Sequence, residues 1–491
     1  MTMKHSKQAL SLLLLSAILT VSCGGGSTAT DTQTSDTDTT TAAPETTAGY
    51  DYPDVDMGGQ TFKILTADDY WGMNVEVDVE EQNGEPLNDA IFKRNAAVEE
   101  ALNCVIEDTN HGISNVIGNI TAAARKEILS GDCIHDVMYV TSDQLFSMAN
   151  ENMLMNLADL DALSLDEPWW DSVYNEMATF NGKIWGASGD AFLMPYDCQW
   201  AMFFNEDILE ANKLDMPYDL VREGKWTIDK LHEYCTAVAN LNGDESFAWK
   251  DGGAALYGLV SHTHAPDKFI FSADNNYVTK KGNELTFTAD TERYYNTIEK
   301  IAALLGEEGT HLAGNSNDFD TDRGYVYTFL NNRAAFLTAE LKTANNIRDM
   351  EATFGIVPFP KFDEAQENYR TNLMIELMVM TIPAISKNAE NAAILMDALA
   401  YESSRTVVPT YFDVIVSQKG LRNEDSIEMM EIMKETRGVD IAVVYGWNSA
   451  LKDTIRTKTM AGDASVASDI AKGKTAIETS MKKFVDLMGL S

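Results

Sequence analysis

Apolar positions follow two alternating periodicities along most of the chain. "TFKILT" (61–66) has the short apolar-rich pattern of a strand. In "EPLNDAIFKRNAAVEEALN" (85–103), Leu87, Ile91, Val98 and Leu102 recur on one face of a helix. "CVIED" (104–108) predicts a second strand, 115–129 a helix and "HDVMYV" (135–140) a third strand. Strand, helix, strand, helix, strand in that order predicts a mostly parallel sheet with helices packed on it.

A second unit of this kind begins near Cys198. "QWAMFFN" (199–205) predicts a strand. "WTIDKLHEYCTAVA" (226–239) predicts a helix with Thr227 as N-cap and Ile228, Leu231, Cys235 and Val238 on its apolar side. "RAAFLTAE" (333–340), "FGIVPFP" (354–360) and "LMIELMVMTIPA" (373–384) are strand-like, and 388–400, 447–456 and 465–487 are helical. No internal repeat is evident.

The N-terminus departs from this alternation. Residues 1–22 carry Lys4 and Lys7, no acid, and an uncharged run from Ala9 to Val21. That run is too short to span a bilayer, which takes ~20 apolar residues. A basic start, a short apolar core and small residues beyond it predict a secretory signal peptide, cut between Ser22 and Cys23. Leu19-Thr20-Val21-Ser22-Cys23 resembles the bacterial lipobox, with the leucine one place further upstream than usual. The resemblance implies that Cys23 is lipidated and anchors the chain to a membrane surface. Residues 23–49 are mostly Gly, Ser, Thr, Asp and Ala, a composition that predicts a disordered tether.

About 440 residues remain, too many for one core and enough for two domains. The apolar fraction of 45% is that of a globular protein, and no second long apolar run follows the leader. Formal charge is −39, and loss of Lys4 and Lys7 with the leader takes it to −41. So acidic a chain repels nucleic acid and anionic headgroups, and the charge suits solubility outside the cell. Cys104, Cys133, Cys198 and Cys235 remain after Cys23. Four thiols in so long a chain, without C-x-x-C, do not make a disulfide framework, and their pairing stays open.

Several segments, in order, resemble the bacterial extracellular solute-binding proteins of the family 1, maltose-binding-protein-like type, receptors of ABC importers. They are "FNGKIWGAS" (180–188), "WAMFFNEDILE" (200–210) with "WTIDKLHEY", "FLNNRAAFLTAE" (329–340), "FGIVPFPKFDE" (354–364) and "YGWNSALKDTI" (445–455). The resemblance implies an α/β periplasmic-binding-protein fold, with two α/β lobes around a ligand cleft joined by a multi-crossover hinge. Mapped here, lobe 1 is 55–190 plus 357–415 and lobe 2 is 191–356 plus 416–491. It implies a small-molecule ligand, a carbohydrate first, an ABC permease as partner, a monomer, and no cofactor.

Sugar sites need aromatic plates and polar rims. Trp447 matches the family's stacking position and alternatively packs in the core. Asp69, Tyr70 and Trp71 follow the first strand, and Asp143 follows the third, where parallel sheets bind ligands. A solvated loop is the other reading of Asp143. Of Trp169 and Trp170, neighbours that face different ways, Trp170 is the candidate, although both can simply pack. Ser188 and Asp190 sit at the implied hinge, and Glu340 ends a strand where the family places a cleft residue. Trp185, Trp226 and Trp249 read as packing residues.

Other motifs fail. "KGKT" (472–475) lacks the earlier glycine of a phosphate loop, having Ser468 there. "DFDTDRGYVYTF" (318–329) has Phe329 where a calcium loop needs glutamate, so it is an acidic loop that binds calcium weakly at best. "SHTH" (261–264) offers two histidines without a third metal ligand. G-x-S-x-G and H-E-x-x-H do not occur. The expected function is a lipid-anchored, extracellular solute receptor without catalysis. A surface polysaccharide hydrolase stays the alternative from another class, and a peptide or metal complex the alternative solute.

Overall fold

The strands follow the apolar runs. β1 (Gln60–Leu65), β2 (Cys104–Thr109) and β3 (Val137–Thr141) come first, separated by the helices Pro86–Leu102 and Asn119–Ser130. β4 (Trp200–Asn205), β5 (Tyr257–His262), the hairpin β6 (Val278–Lys281) and β7 (Glu284–Phe287), β8 (His311–Gly314), β9 (Ala334–Glu340) and β10 (Phe354–Val357) follow. β11 (Thr371–Asn372), β12 (Met378–Thr381) and β13 (Arg437–Gly438) come last. The structure is a computed structural model that describes residues 50, 52–68, 72–110, 119–250, 252–314, 324–374, 376–416 and 424–489. The leader, Cys23, the tether, and Asp69, Tyr70 and Trp71 lie outside the described residues, as do 315–323 of the acidic loop.

Two main sheets result, one in the order β12-β3-β1-β2 and one in the order β10-β4-β9-β5-β8. β1 pairs in parallel with β2 and β3, as strand-helix-strand units require, and β12 closes the other edge of β3 antiparallel. The second sheet is mixed: β5 runs parallel to β8 and β9, while β4 runs antiparallel to both its neighbours, β9 and β10. β3 and β4, flanked on both sides, are buried at every position, which is why they read as unbroken apolar runs. Period-two alternation sends Trp200, Met202 and Phe204 of β4 into one core and Ala201 and Phe203 into the other.

Local chemistry sets where elements stop. Thr227 caps the helix Ile228–Val238 by accepting from the Lys230 N–H at 3.2 Å, and Ile228, Leu231, Cys235 and Val238 are buried. "FGIVPFP" pairs only as far as Val357, because Pro358 has no N–H to offer a ladder. "LMIELMVMTIPA" yields only Met378–Thr381, its earlier residues being spent on a crossing between the sheets. "KGKT" lies inside the terminal helix, Ala467–Leu487. Cys104, Cys133, Cys198 and Cys235 are all free thiols. No helix among the described residues is long and apolar enough to cross a membrane.

The chain passes between the sheets three times: between β3 and β4, between β10 and β12, and after β12, where the later helices join the core of the second sheet. Buried polar groups pin these passages. The Arg437 Nε donates to Asp171 Oδ2 at 2.7 Å, and the guanidinium lies 4.7 Å from the Tyr196 ring centroid. The Tyr196 hydroxyl donates to Asp190 Oδ1 at 2.6 Å, and the Tyr411 hydroxyl donates to Asp197 Oδ1 at 2.8 Å.

The second sheet tolerates no side chain at Gly258 of β5. A Cβ there would stand 2.4 Å from Cys235 Cβ and 2.5 Å from its Cα. Glycine is what lets the helix Ile228–Val238 lie directly on the strand. Gly258→Ala is expected to destabilise the protein by about 1–3 kcal/mol. A lowered urea midpoint with an unchanged slope is the readout, and an unchanged midpoint would refute the tight approach.

Candidate functional site

A cavity of about 360 Å³ opens between loops of the first sheet and the second sheet. That is toward the small end for small-molecule sites. His262 ends β5 and Glu340 ends β9, so two parallel strands aim their carboxyl ends at it. The helix Ala265–Ser272, directly after β5, presents Asp267 and Lys268 from its first turns. Lys452 and Arg456, one turn apart on the helix Ser449–Met460, face it from the C-terminal region. From the other side come Met73, after β1, and Glu376, just before β12. Trp200, opposite Glu340 in the β4–β9 register, and Tyr325 line it from largely buried positions.

Charge in the cavity is balanced, unlike that of the chain. Asp267, Glu340, Glu376 and Asp440 meet Lys268, Lys342, Lys452 and Arg456. Arg456 and Asp267 form an ion pair through Nη2 and Oδ2. The Lys268 Nζ donates to Asn372 Oδ1 at 2.7 Å and lies 4.8 Å from the Trp200 ring centroid. Burial lowers the Lys268 ammonium, against the pull of Asp267, Glu376 and Glu340. Burial raises the Glu376 carboxyl; Lys268 opposes the rise and Asp143 adds to it. Burial takes His262 down to about 4, and its Nδ1 accepts the His264 N–H at 3.1 Å. That ring is therefore neutral near pH 7, with its proton on Nε2. Among the described residues, no three His, Cys, Asp or Glu side chains are grouped to hold a metal ion.

The residues singled out from sequence are scattered by comparison. Glu340 lines the cavity. Asp143 stands in the first turn of the helix Ser142–Asn150, accepts from Gln144 Nε2 at 3.0 Å and acts on Glu376. Asp190 is buried at the crossing, between the Tyr196 hydroxyl and Lys434, whose Nζ is 3.5 Å away. Ser188 is buried beside it, its N–H donating to Asn175 Oδ1 at 2.9 Å. Trp169 and Trp170 both donate through Nε1 to Asp397 Oδ1, at 2.9 and 2.7 Å, and Trp170 lies against Gly189, so both pack. Trp447 is half-buried on Phe484 and Tyr445, with ring centroids 5.3 and 5.7 Å away, in a cluster that includes Phe146. Trp226 is wholly buried and Trp249 partly so.

Sequence reasoning passed over Trp200, Lys268, Tyr325, Glu376, Lys452 and Arg456. One signal was present for Lys268. In "APDKFIFS" it is the lone cation of a helix otherwise mostly apolar, and a lysine there needs a polar reason.

Two layered α/β sheets joined by three crossings, with a polar cavity between, define a two-lobed binding fold. The model of the bacterial extracellular solute-binding proteins matches residues 109–402, more than half of the chain, and the chain belongs to that family. Among solved structures, the cyclic α-maltosyl-1,6-maltose-binding protein of Arthrobacter globiformis shares the fold at a TM-score of 0.58 and 14% identity, over 87% of this chain and 100% of that one. The maltose-binding protein MalE of Listeria monocytogenes, solved with maltose, gives 0.54 and 12%, over 86% and 98%. UgpB of Mycobacterium tuberculosis, solved with glycerophosphocholine, gives 0.53 and 14%, over 86% and 98%. No curated protein sequence matches the chain.

Proposed function

We propose that the protein is a lipid-anchored, monomeric receptor that captures a sugar or small oligosaccharide and delivers it to an ABC permease. The cavity carries this reading. The largely buried Trp200 and Tyr325 give it an apolar wall, and the interleaved carboxylates and cations suit the hydroxyl rim of a sugar. The sugars that fold relatives are named for, and in one case solved with, support it. We assign lobe 1 to 55–190 plus 357–415 and lobe 2 to 191–356 plus 416–491; the strands of the four-stranded sheet fall in the first. The lobes close by hinge motion about the crossings near Ser188, and the protein performs no chemistry on its ligand. Calorimetry against a panel of mono- and oligosaccharides is expected to show saturable binding with the sugar recovered intact. Small-angle scattering is expected to show a smaller radius of gyration with ligand. Hydrolysis products would reassign the protein to the hydrolases, and an unchanged radius at saturation would remove the hinge.

The anchor is tested separately. Cys23→Ser, expressed in a bacterium, is expected to move the protein from the membrane to the soluble fraction, since a lipid chain supplies ~0.8 kcal/mol per buried CH₂. Membrane retention of that variant with its leader removed would rule out lipidation at Cys23.

A further inference from the structure

We propose, building on the receptor reading, that the preferred ligand is an acidic saccharide of one or two rings, its acid group held between Lys268 and Lys452. Lys268 is 9% exposed, and its partners among the described residues, Asn372 Oδ1 and the Trp200 ring, are neutral. A buried ammonium without a carboxylate in contact is costly, and a bound anion removes that cost. Lys452 lines the same cavity, and both lysines act on His264 and Glu376, which places them around one region.

The acids nearby act on Lys268 from a distance, and none forms an ion pair with Lys268 or Lys452 among the described residues. Asp267 is committed to Arg456, and Asp440 to the Tyr277 and Ala442 N–H groups. Burial raises the Glu376 carboxyl, while Lys268 and Lys452 oppose the rise. Glu340 remains at the end of β9 to accept sugar hydroxyls. Trp200 Nε1, on a side chain 3% exposed at the cavity wall, is a buried donor without a hydrogen-bond partner among the described residues. The volume of about 360 Å³ fits a short ligand.

The test uses three probes that differ only at one carbon: glucose, glucuronate and glucose 6-phosphate, with maltose as a neutral disaccharide, titrated into the soluble Cys23→Ser protein. Glucuronate or glucose 6-phosphate is expected to bind at least tenfold more tightly than glucose, and which of them wins distinguishes a carboxylate from a phosphate. Lys452→Met, at a half-exposed position that leaves the core intact, is expected to reduce that preference at least tenfold, and Lys268→Met to do the same. Glucose or maltose binding as tightly as the acids overturns the proposal and leaves the receptor reading standing. A preference unchanged in both lysine variants overturns it, and so does failure of both acids to bind.

Discussion

Trp200→Ala is expected to weaken binding of the best sugar by thirtyfold or more. Trp200 stands at the start of β4, opposite Glu340, with Lys268 over one face of its ring. Its Nε1 finds no acceptor among the described residues, and an unsatisfied buried donor costs about 1–3 kcal/mol. A ligand oxygen that reached it as the cleft closes would satisfy it. Truncating a packed aromatic anchor typically costs ~2 kcal/mol or more of binding, which is about thirtyfold. Trp200→Phe separates the two contributions, because it keeps most of the packing and deletes the donor; about tenfold loss is expected there. Circular dichroism establishes that each variant folds, and calorimetry reads the affinity. Binding within twofold of the parent for Trp200→Ala would place the ligand elsewhere. Trp447→Ala is the informative comparison: a loss there as large as at Trp200 moves the ligand toward the Phe146–Tyr445–Trp447 cluster.

The largest expected effect on stability is at Arg437. Both Arg437 and Asp171 are almost fully buried, and they join the segment before the first crossing to β13, which pairs with β11 in the second crossing. Asp171 also caps the helix Ser172–Ala178, accepting from the Tyr174 N–H at 3.0 Å. Arg437→Met leaves that carboxylate in the interior without its cation. Removing one partner of a buried pair costs about 3–5 kcal/mol. Urea unfolding is the measurement, and a loss under about 1 kcal/mol would show that water or another cation replaces the guanidinium. Asp171→Asn combined with Arg437→Met is expected to cost less than the two single changes together, since the second removes the charge stranded by the first.

The first three strands were legible because they obey simple periods. "TFKILT", "CVIED" and "HDVMYV" became β1, β2 and β3 within a residue or two, and Val98 and Leu102 went to the core. Later strands were less so. "YGLVSH" hides β5 because Gly258, Ser261 and His262 interrupt its apolar run. Each has a structural cause: a close helix, a hydroxyl 2.7 Å from His311 Nε2, and the cavity. β8 and the hairpin β6–β7 are four-residue strands with mixed polarity, too short to show a period.

The candidate site was mostly illegible for a different reason. Trp200, Lys268, Glu340, Glu376 and Arg456 come from five separate segments, and no spacing along the chain connects them. Glu340, singled out because it ends a strand where the resembled family places a cleft residue, is the one sequence candidate among the described residues on the cavity wall. Tryptophans drew attention by their chemistry, yet Trp170 met Asp397 and Trp447 met Phe484, since a large indole is most cheaply placed against other buried surface.

The pairing of β12 with β3 also sets a clock for synthesis. Thr381 hydrogen-bonds Met138, a partner 243 residues earlier, and β12 supplies one edge of the sheet that begins at Gln60. At ~5–20 residues per second a ribosome needs roughly 12–50 s to make that stretch. Until then β3 has an open apolar edge, and the first sheet cannot reach its final form. The element that completes the N-terminal half is thus among the later parts of the chain to emerge, and that half stays open to partners and proteases through most of its synthesis.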